Sequence, residues 1–255
     1  MINLTEAQLT AWLSPVLWPF FRVLAVFTAA PVFSARAFPV RTRIALALLV
    51  ALCAQASLSA QPQVSFSGPL GLQTLVQQVG IGLAIGFAVR LVFASVELAG
   101  ELIGLQMGLN FATFFDPTSN TQTSAVSMFF GHMTVLLFIV MNGHLLVLMA
   151  VIRSFDAFPV GGGLLEMLAK VRLYEQGADL FSSALWIALP MIAVLLLVNL
   201  TLGIISRVAP QMNIYAIGFP VTLGVGLIGI GVTLPMLDHQ FMALFSRTID
   251  LFAAH

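Results

Sequence analysis

The chain of 255 residues is 60% hydrophobic and only 8% charged, with ten Lys and Arg balancing ten Asp and Glu, whereas a soluble domain carries roughly a quarter charged residues. A mean hydropathy of +1.04 and a pI near 6.9 exclude an ordinary soluble domain and leave no basic footprint for nucleic acid. The single cysteine, Cys53, excludes an intrachain disulfide and a cysteine metal cluster.

The first residues, M-I-N-L-T-E, lack a positive n-region, and the apolar run after them is long enough to span a bilayer. It is therefore expected to be a retained helix, although Ala35-Arg36-Ala37 mimics a cleavage site. Apolar stretches fall at about Ala11 to Phe33, Ile44 to Ala60, Leu70 to Val96, Met128 to Ile152, Leu180 to Ile205 and Ile214 to Leu237. Each is near the ~20 residues that a spanning helix needs, so hydropathy predicts an all-α, polytopic membrane protein with about six helices. The connection Ser34 to Arg43 holds Arg36, Arg41 and Arg43 and no acid; the positive-inside rule places it in the cytoplasm and the N-terminus outside. Ser154 to Asp179 sets Lys170 and Arg172 against Asp156, Glu166, Glu175 and Asp179 and orients little.

If the third helix runs on to about Phe115, its length at ~1.5 Å per residue is roughly 70 Å, more than twice the hydrocarbon thickness. It must then kink, fold back or leave the bilayer. Pro190 and Pro220 are expected to interrupt the last two segments, and Gly224, Gly226, Gly229 and Gly231 make the final helix small-faced. The run A-P-Q-M-N-I-Y-A-I-G-F-P from Ala209 to Pro220 predicts a helix break: Pro210 lacks an N–H, and Gln211 and Asn213 can satisfy exposed backbone, with Gly218 and Pro220 closing the stretch. Such a break must face protein or water.

Gly100, Gly104, Gly108 and Ala112 recur every four residues, a seam on which another backbone can approach closely, within the chain or from another subunit. The seam runs into an aromatic cluster, Phe111, Phe114 and Phe115 before Asp116-Pro117, and then into the polar uncharged stretch Thr118 to Ser124, with Asn120 and Gln122. Bulky apolar groups beside small polar ones suit a constriction, but composition alone favours a plain connecting loop. Among the charges of the apolar segments, Arg22, Arg90, Glu97 and Glu101, Arg90 and Glu97 share a helical face ~10.5 Å apart along the axis. Glu97 and Glu101 lie one turn apart, so one is protonated or matched by an arginine such as Arg207; pairing between helices and a proton relay are the two readings. His132 and His144 are twelve residues apart and cannot share a helical face, the methionines are dispersed, and Gly161-Gly162-Gly163 lacks the Lys-Ser/Thr of a phosphate loop. No metal, cofactor or enzymatic activity is expected.

Three stretches carry a family resemblance: R-V-A-P-Q-M-N-I-Y-A-I-G-F-P from Arg207, E-L-A-G-E-L-I-G-L-Q-M-G-L-N-F-A-T-F-F-D-P from Glu97, and, more weakly, F-P-V-R-T-R from Phe38. They resemble the FliR/SctT family of type III secretion export-gate subunits, and the likeness covers nearly the whole chain. It implies one export-gate domain in a helical assembly, with residues up to about 179 resembling FliP, and a hairpin over about 180–237 resembling FliQ. The resemblance also implies a plug near 106–124, bearing Phe111, Phe114, Phe115, Asp116, Asn120 and Gln122, that closes the export channel. Expected partners are FliP and FliQ in the core, FlhB and FlhA, and unfolded flagellar proteins in transit, all at the basal body in the bacterial cytoplasmic membrane. The alternative from composition is a proton-coupled secondary transporter using Glu97 or Glu101, for which inverted repeats are missing.

Overall fold

A computed structural model describes residues 6–55, 62, 64, 68–109, 124–162, 169, 172–211 and 214–252. The described residues form helices α1 (Glu6–Ala29), α2 (Val40–Gln55), α3 (Pro69–Gln106), α4 (Ala125–Val140), α5 (Gly143–Ala157), α6 (Leu173–Val208) and α7 (Ile214–Thr233). A short 3₁₀ turn (Leu234–Met236) leads into α8 (Leu237–Asp250). Backbone N–H and C=O groups in an apolar medium must be satisfied within the segment, which is why so apolar a chain is helical.

Of the six apolar stretches, four become helices long and apolar enough to cross a membrane: α1, α3, α6 and the α7–α8 run. The second becomes α2, whose 16 residues reach only ~24 Å against a hydrocarbon core of ~30 Å. The fourth breaks at Met141 and Asn142 into α4 and α5, bent by 68°, with Asn142 left-handed at φ 55°. Asparagine tolerates that conformation better than most residues. Hydropathy sums over breaks and short helices, and so counts six where length and continuity give four, or five with the bent pair.

Pro190 and Pro220 lie inside the continuous helices α6 and α7, contrary to the expected interruptions. A proline removes one rung, and the remaining rungs have no better partner in an apolar medium. The break is instead confined to 209–213: α6 ends at Val208 and α7 begins at Ile214, with Ala209 N–H donating to Ile205 O at 2.8 Å and Pro210 and Gln211 in a turn. Gly218 and Pro220 belong to α7, while Asn213 lies outside the described residues.

The chain divides into two compact units. The first comprises 1–91, 138–176 and 245–255. In it α1 packs against α2 and against α3, where Gly82 lies on the Arg22 carbonyl and a Cβ at Gly86 would come within 2.6 Å of Ala29 Cβ. Phe27 stacks on Phe33 at 4.6 Å, and Phe138 meets Phe33 and Phe245 edge-on at 6.5 and 5.6 Å. At the centre the guanidinium of Arg22, 0% exposed, donates to Gln78 Oε1 (2.8 Å), Ser154 Oγ (2.9 Å) and Phe158 O (2.8 Å). It also lies 3.6 Å over the Phe155 ring. Gln77 extends the network, donating to Pro159 O at 3.0 Å and accepting from Gly161 N–H at 3.0 Å.

The second unit comprises 92–137 and 177–244. Here α3 packs on α4, and α6 and α7 form a hairpin in which Gly229 receives the side chain of Met191. Phe93 meets Phe241 edge-on at 5.8 Å. Pro190 lines a cavity of about 70 Å³ with Ile187, Thr233 and Leu237. The hairpin's most apolar windows are only 22% and 17% buried, leaving large side chains such as Trp186, Leu197, Leu227 and Ile228 exposed.

Candidate functional site

The second unit holds the base of the segment singled out from sequence as a plug. Phe111, Phe114, Phe115, Asp116, Asn120 and Gln122 lie outside the described residues, as does Ala112. The structure defines the two ends between which that segment runs.

On the N-terminal side α3 stops at Gln106 and does not continue to Phe115. Gly108 adopts φ +80°, its N–H bonds Leu105 O at 3.1 Å, and Leu109 N–H bonds Gly104 O at 3.1 Å. These are the paired bonds of a Schellman cap, which needs a left-handed residue and so favours glycine. Gly108 thus ends the helix. Of the seam, Gly100 and Gly104 both face α4: a Cβ at Gly100 would lie 2.9 Å from Ser127 Cα, and one at Gly104 would lie 2.8 Å from Ser124 Oγ.

On the C-terminal side Ser124 caps α4, its Oγ accepting from Ser127 N–H at 3.1 Å, an interaction worth ~1 kcal/mol. The Ser124 N–H donates to Glu101 Oε2 at 3.0 Å, so a carboxylate sits at the positive end of α4, where the helix dipole favours it. Ser127 Oγ donates to Glu97 O at 2.8 Å. From α7, Thr222 Oγ1 donates to Met107 O at 3.3 Å, and Gly226 leaves room for the Met107 side chain, which is fully buried. Both ends of the 108–123 stretch are therefore tied to helices of one unit.

The five charges singled out from sequence are not placed alike. Arg22 is buried in the first unit; Arg90, Glu97 and Arg207 stand exposed, and Glu101 is half-buried. Arg207 occupies the last turn of α6, where a cation suits the helix dipole, and Glu101 has the α4 terminus as its donor. Glu97 borders a cleft of about 320 Å³ together with Ser127, Met128, Gly131, His132 and Val135. His132 and His144 fall on the separate helices α4 and α5. Among the described residues no group of three His, Cys, Asp or Glu side chains is placed to hold a metal ion. Sequence reasoning passed over Ser127, Gly131 and Thr222; the Ser124-x-x-Ser127 spacing before an apolar run was the available signal for the first.

Residues 13–248 match the family model described as bacterial export proteins, family 1. The chain belongs to that family. It is 40% identical over 253 residues to a protein of Pectobacterium carotovorum subsp. carotovorum named flagellar biosynthetic protein FliR, covering 99% of this chain and 97% of that one. The Escherichia coli K12 protein of the same name is 38% identical over 255 residues, covering 98% and 97%. A Bacillus subtilis relative, also so named, is 29% identical over 237 residues, covering 91% and 90%. The match over 13–248 takes in all or most of each of the eight described helices, including the α3–α4 loop base and the α6–α7 break, so it does not rest on shared hydrophobicity in one segment.

Proposed function

We propose that this chain is a non-enzymatic subunit of the flagellar type III protein export apparatus in the bacterial cytoplasmic membrane, where it forms and closes part of the export channel. The observation that carries the reading is the full-length family match, with relatives named for flagellar biosynthesis aligned over nearly the entire chain. The anchoring of the 108–123 stretch at both ends supports a plug. A segment that must block a channel and yield to a passing chain needs fixed ends and bulky apolar groups between them, which Phe111, Phe114 and Phe115 supply.

On this reading FliP and FliQ complete the core, with residues up to about 179 taking a FliP-like place and the hairpin over 180–237 a FliQ-like one. FlhB and FlhA engage that core, and unfolded flagellar proteins pass through it at the basal body. The exposed apolar faces of α6 and α7 suit burial against other helices or lipid. Deleting the gene should abolish filament growth and flagellin export, and the intact gene should restore both; a deletion strain with normal filaments would remove the proposal. Alanine at Phe111, Phe114 and Phe115 together should leave the complex assembled and make cells permeable to ions. An assembled, tight mutant complex would assign the loop to scaffolding.

A further inference from the structure

We propose that the loop joining α1 to α2, together with the outward face of α2, binds an anionic phospholipid, its headgroup drawn to Arg36 and Arg41 and an acyl chain laid along Leu48 and Leu52. The inference goes beyond the export reading, since it asks only that the chain lie in a bilayer.

This hairpin carries positive charge that the chain does not neutralise. No Asp or Glu occurs between Glu6 and Glu97. Arg36 and Arg41 are exposed, and neither forms a hydrogen bond or an ion pair among the described residues. Arg43 serves the loop itself: its Nε donates to Phe33 O at 3.1 Å, which fixes the turn that displays the other two. The loop begins where the apolar span Thr10–Ala29 ends, so its guanidiniums fall where a spanning α1 leaves the hydrocarbon. Phe38, between them, is exposed, and an aromatic ring among arginines suits the headgroup boundary.

Helix α2 supplies the apolar part. It packs against α1 and buries the small residues Ala47, Ala51 and Ala54, while Leu48 and Leu52 stand exposed. At about 100° per residue, Arg41, Leu48 and Leu52 lie within ~20° of one line along the helix. From Arg41 to Leu52 that line runs ~16 Å at ~1.5 Å per residue, against ~15 Å for the hydrocarbon of one leaflet. A cation at the head of an apolar stripe one leaflet long matches a phospholipid in charge and in length. A zwitterionic lipid has the length without the net charge, so the arginines select the anionic headgroup.

The test exploits Cys53, the single cysteine, which is exposed next to Leu52 and accepts a fluorophore on the full chain. The labelled protein is reconstituted in vesicles of equal parts phosphatidylglycerol and phosphatidylcholine, in which one lipid or the other carries bromine on its acyl chains. Quenching should be at least two-fold stronger when phosphatidylglycerol is the brominated lipid. Arg36→Gln with Arg41→Gln should equalise the two, and Arg36→Lys with Arg41→Lys should keep most of the difference. Raising the salt from about 0.05 to about 0.5 M should shrink it. Equal quenching by the two lipids in the unaltered chain would overturn the inference, as would a preference that survives the glutamine pair. Quenching by neither lipid would also overturn it and assign this face to a protein neighbour. The glutamine pair should melt with the unaltered chain; a large drop would mean that these arginines serve the fold instead.

Discussion

Arg22 and Glu97 each interrupt an apolar helix, yet Arg22 is 0% exposed with acceptors supplied by α3 and by α5 and its C-terminal turn, whereas Glu97 stands at the surface of its cleft. Arg22 is surrounded by neutral acceptors and an aromatic face, and within the described residues its guanidinium forms no salt bridge. That enclosure spreads one charge over several dipoles that the chain itself carries. A charge closed off in this way holds the fold together, while one at the surface contributes less to it. The glycines divide along the same line. Gly82, Gly86, Gly100 and Gly104 are filled by other helices of this chain, whereas around Gly203, Gly224 and Gly231 a Cβ would meet nothing within 4 Å.

The contrast breaks most readily at its closed end. Arg22→Ala would strand Gln78 Oε1, Ser154 Oγ and the Phe158 carbonyl and leave a void, an expected loss of roughly 3–5 kcal/mol; thermal denaturation of the purified chain should register it as the largest effect among single substitutions. Glu97→Ala, at an exposed position, should lower that melting temperature less, and an equal loss would mean that the two charges do the same work. Next in size, Gly82→Ala and Gly100→Ala place a methyl group into backbone or Cα atoms of the facing helix, for ~1–3 kcal/mol. Gly224→Ala, by contrast, should leave folding unharmed, since nothing crowds it and alanine is the better helix former. Were Gly224→Ala as damaging as Gly82→Ala in the isolated chain, the division between filled and open glycines would be wrong.

Smaller effects sharpen the account of the loop base. Gly108→Ala forces a side chain into a left-handed cap, for ~1–2 kcal/mol. Glu101→Gln weakens a charge-assisted bond to Ser124, for ~1 kcal/mol, and should raise protease cleavage within 108–123 before it lowers the melting temperature. Smallest of all, Glu175→Gln removes an exposed pair with Arg172 and should change stability by less than ~0.5 kcal/mol.

Much of this was legible in the residues themselves. Apolar length gave the helical class, and Pro210 lies in the turn between α6 and α7. Pro220 misled: the same missing donor inside an apolar helix is outweighed by the intact rungs around it. The four-residue spacing puts Gly100 and Gly104 on one face, and both lie against α4. Periodicity could not distinguish Gly108, whose role depends on a backbone angle that sequence spacing does not encode. Nor could it foresee that Glu101 would face a helix terminus, since Ser124 lies 23 residues away and the pairing exists only once α3 and α4 are side by side.

The Arg22 network also sets a schedule for biogenesis. Its acceptors follow it by 56, 132 and 136 residues, and at a synthesis rate of ~5–20 residues per second the last emerges roughly 7–27 s after the arginine. Throughout that interval α1 cannot settle among lipid tails in its final state. The nascent chain must keep this segment beside water or the insertion machinery until α5 is made, so a ribosome stalled before Phe158 leaves a product that quality control can recognise by one unsheltered cation.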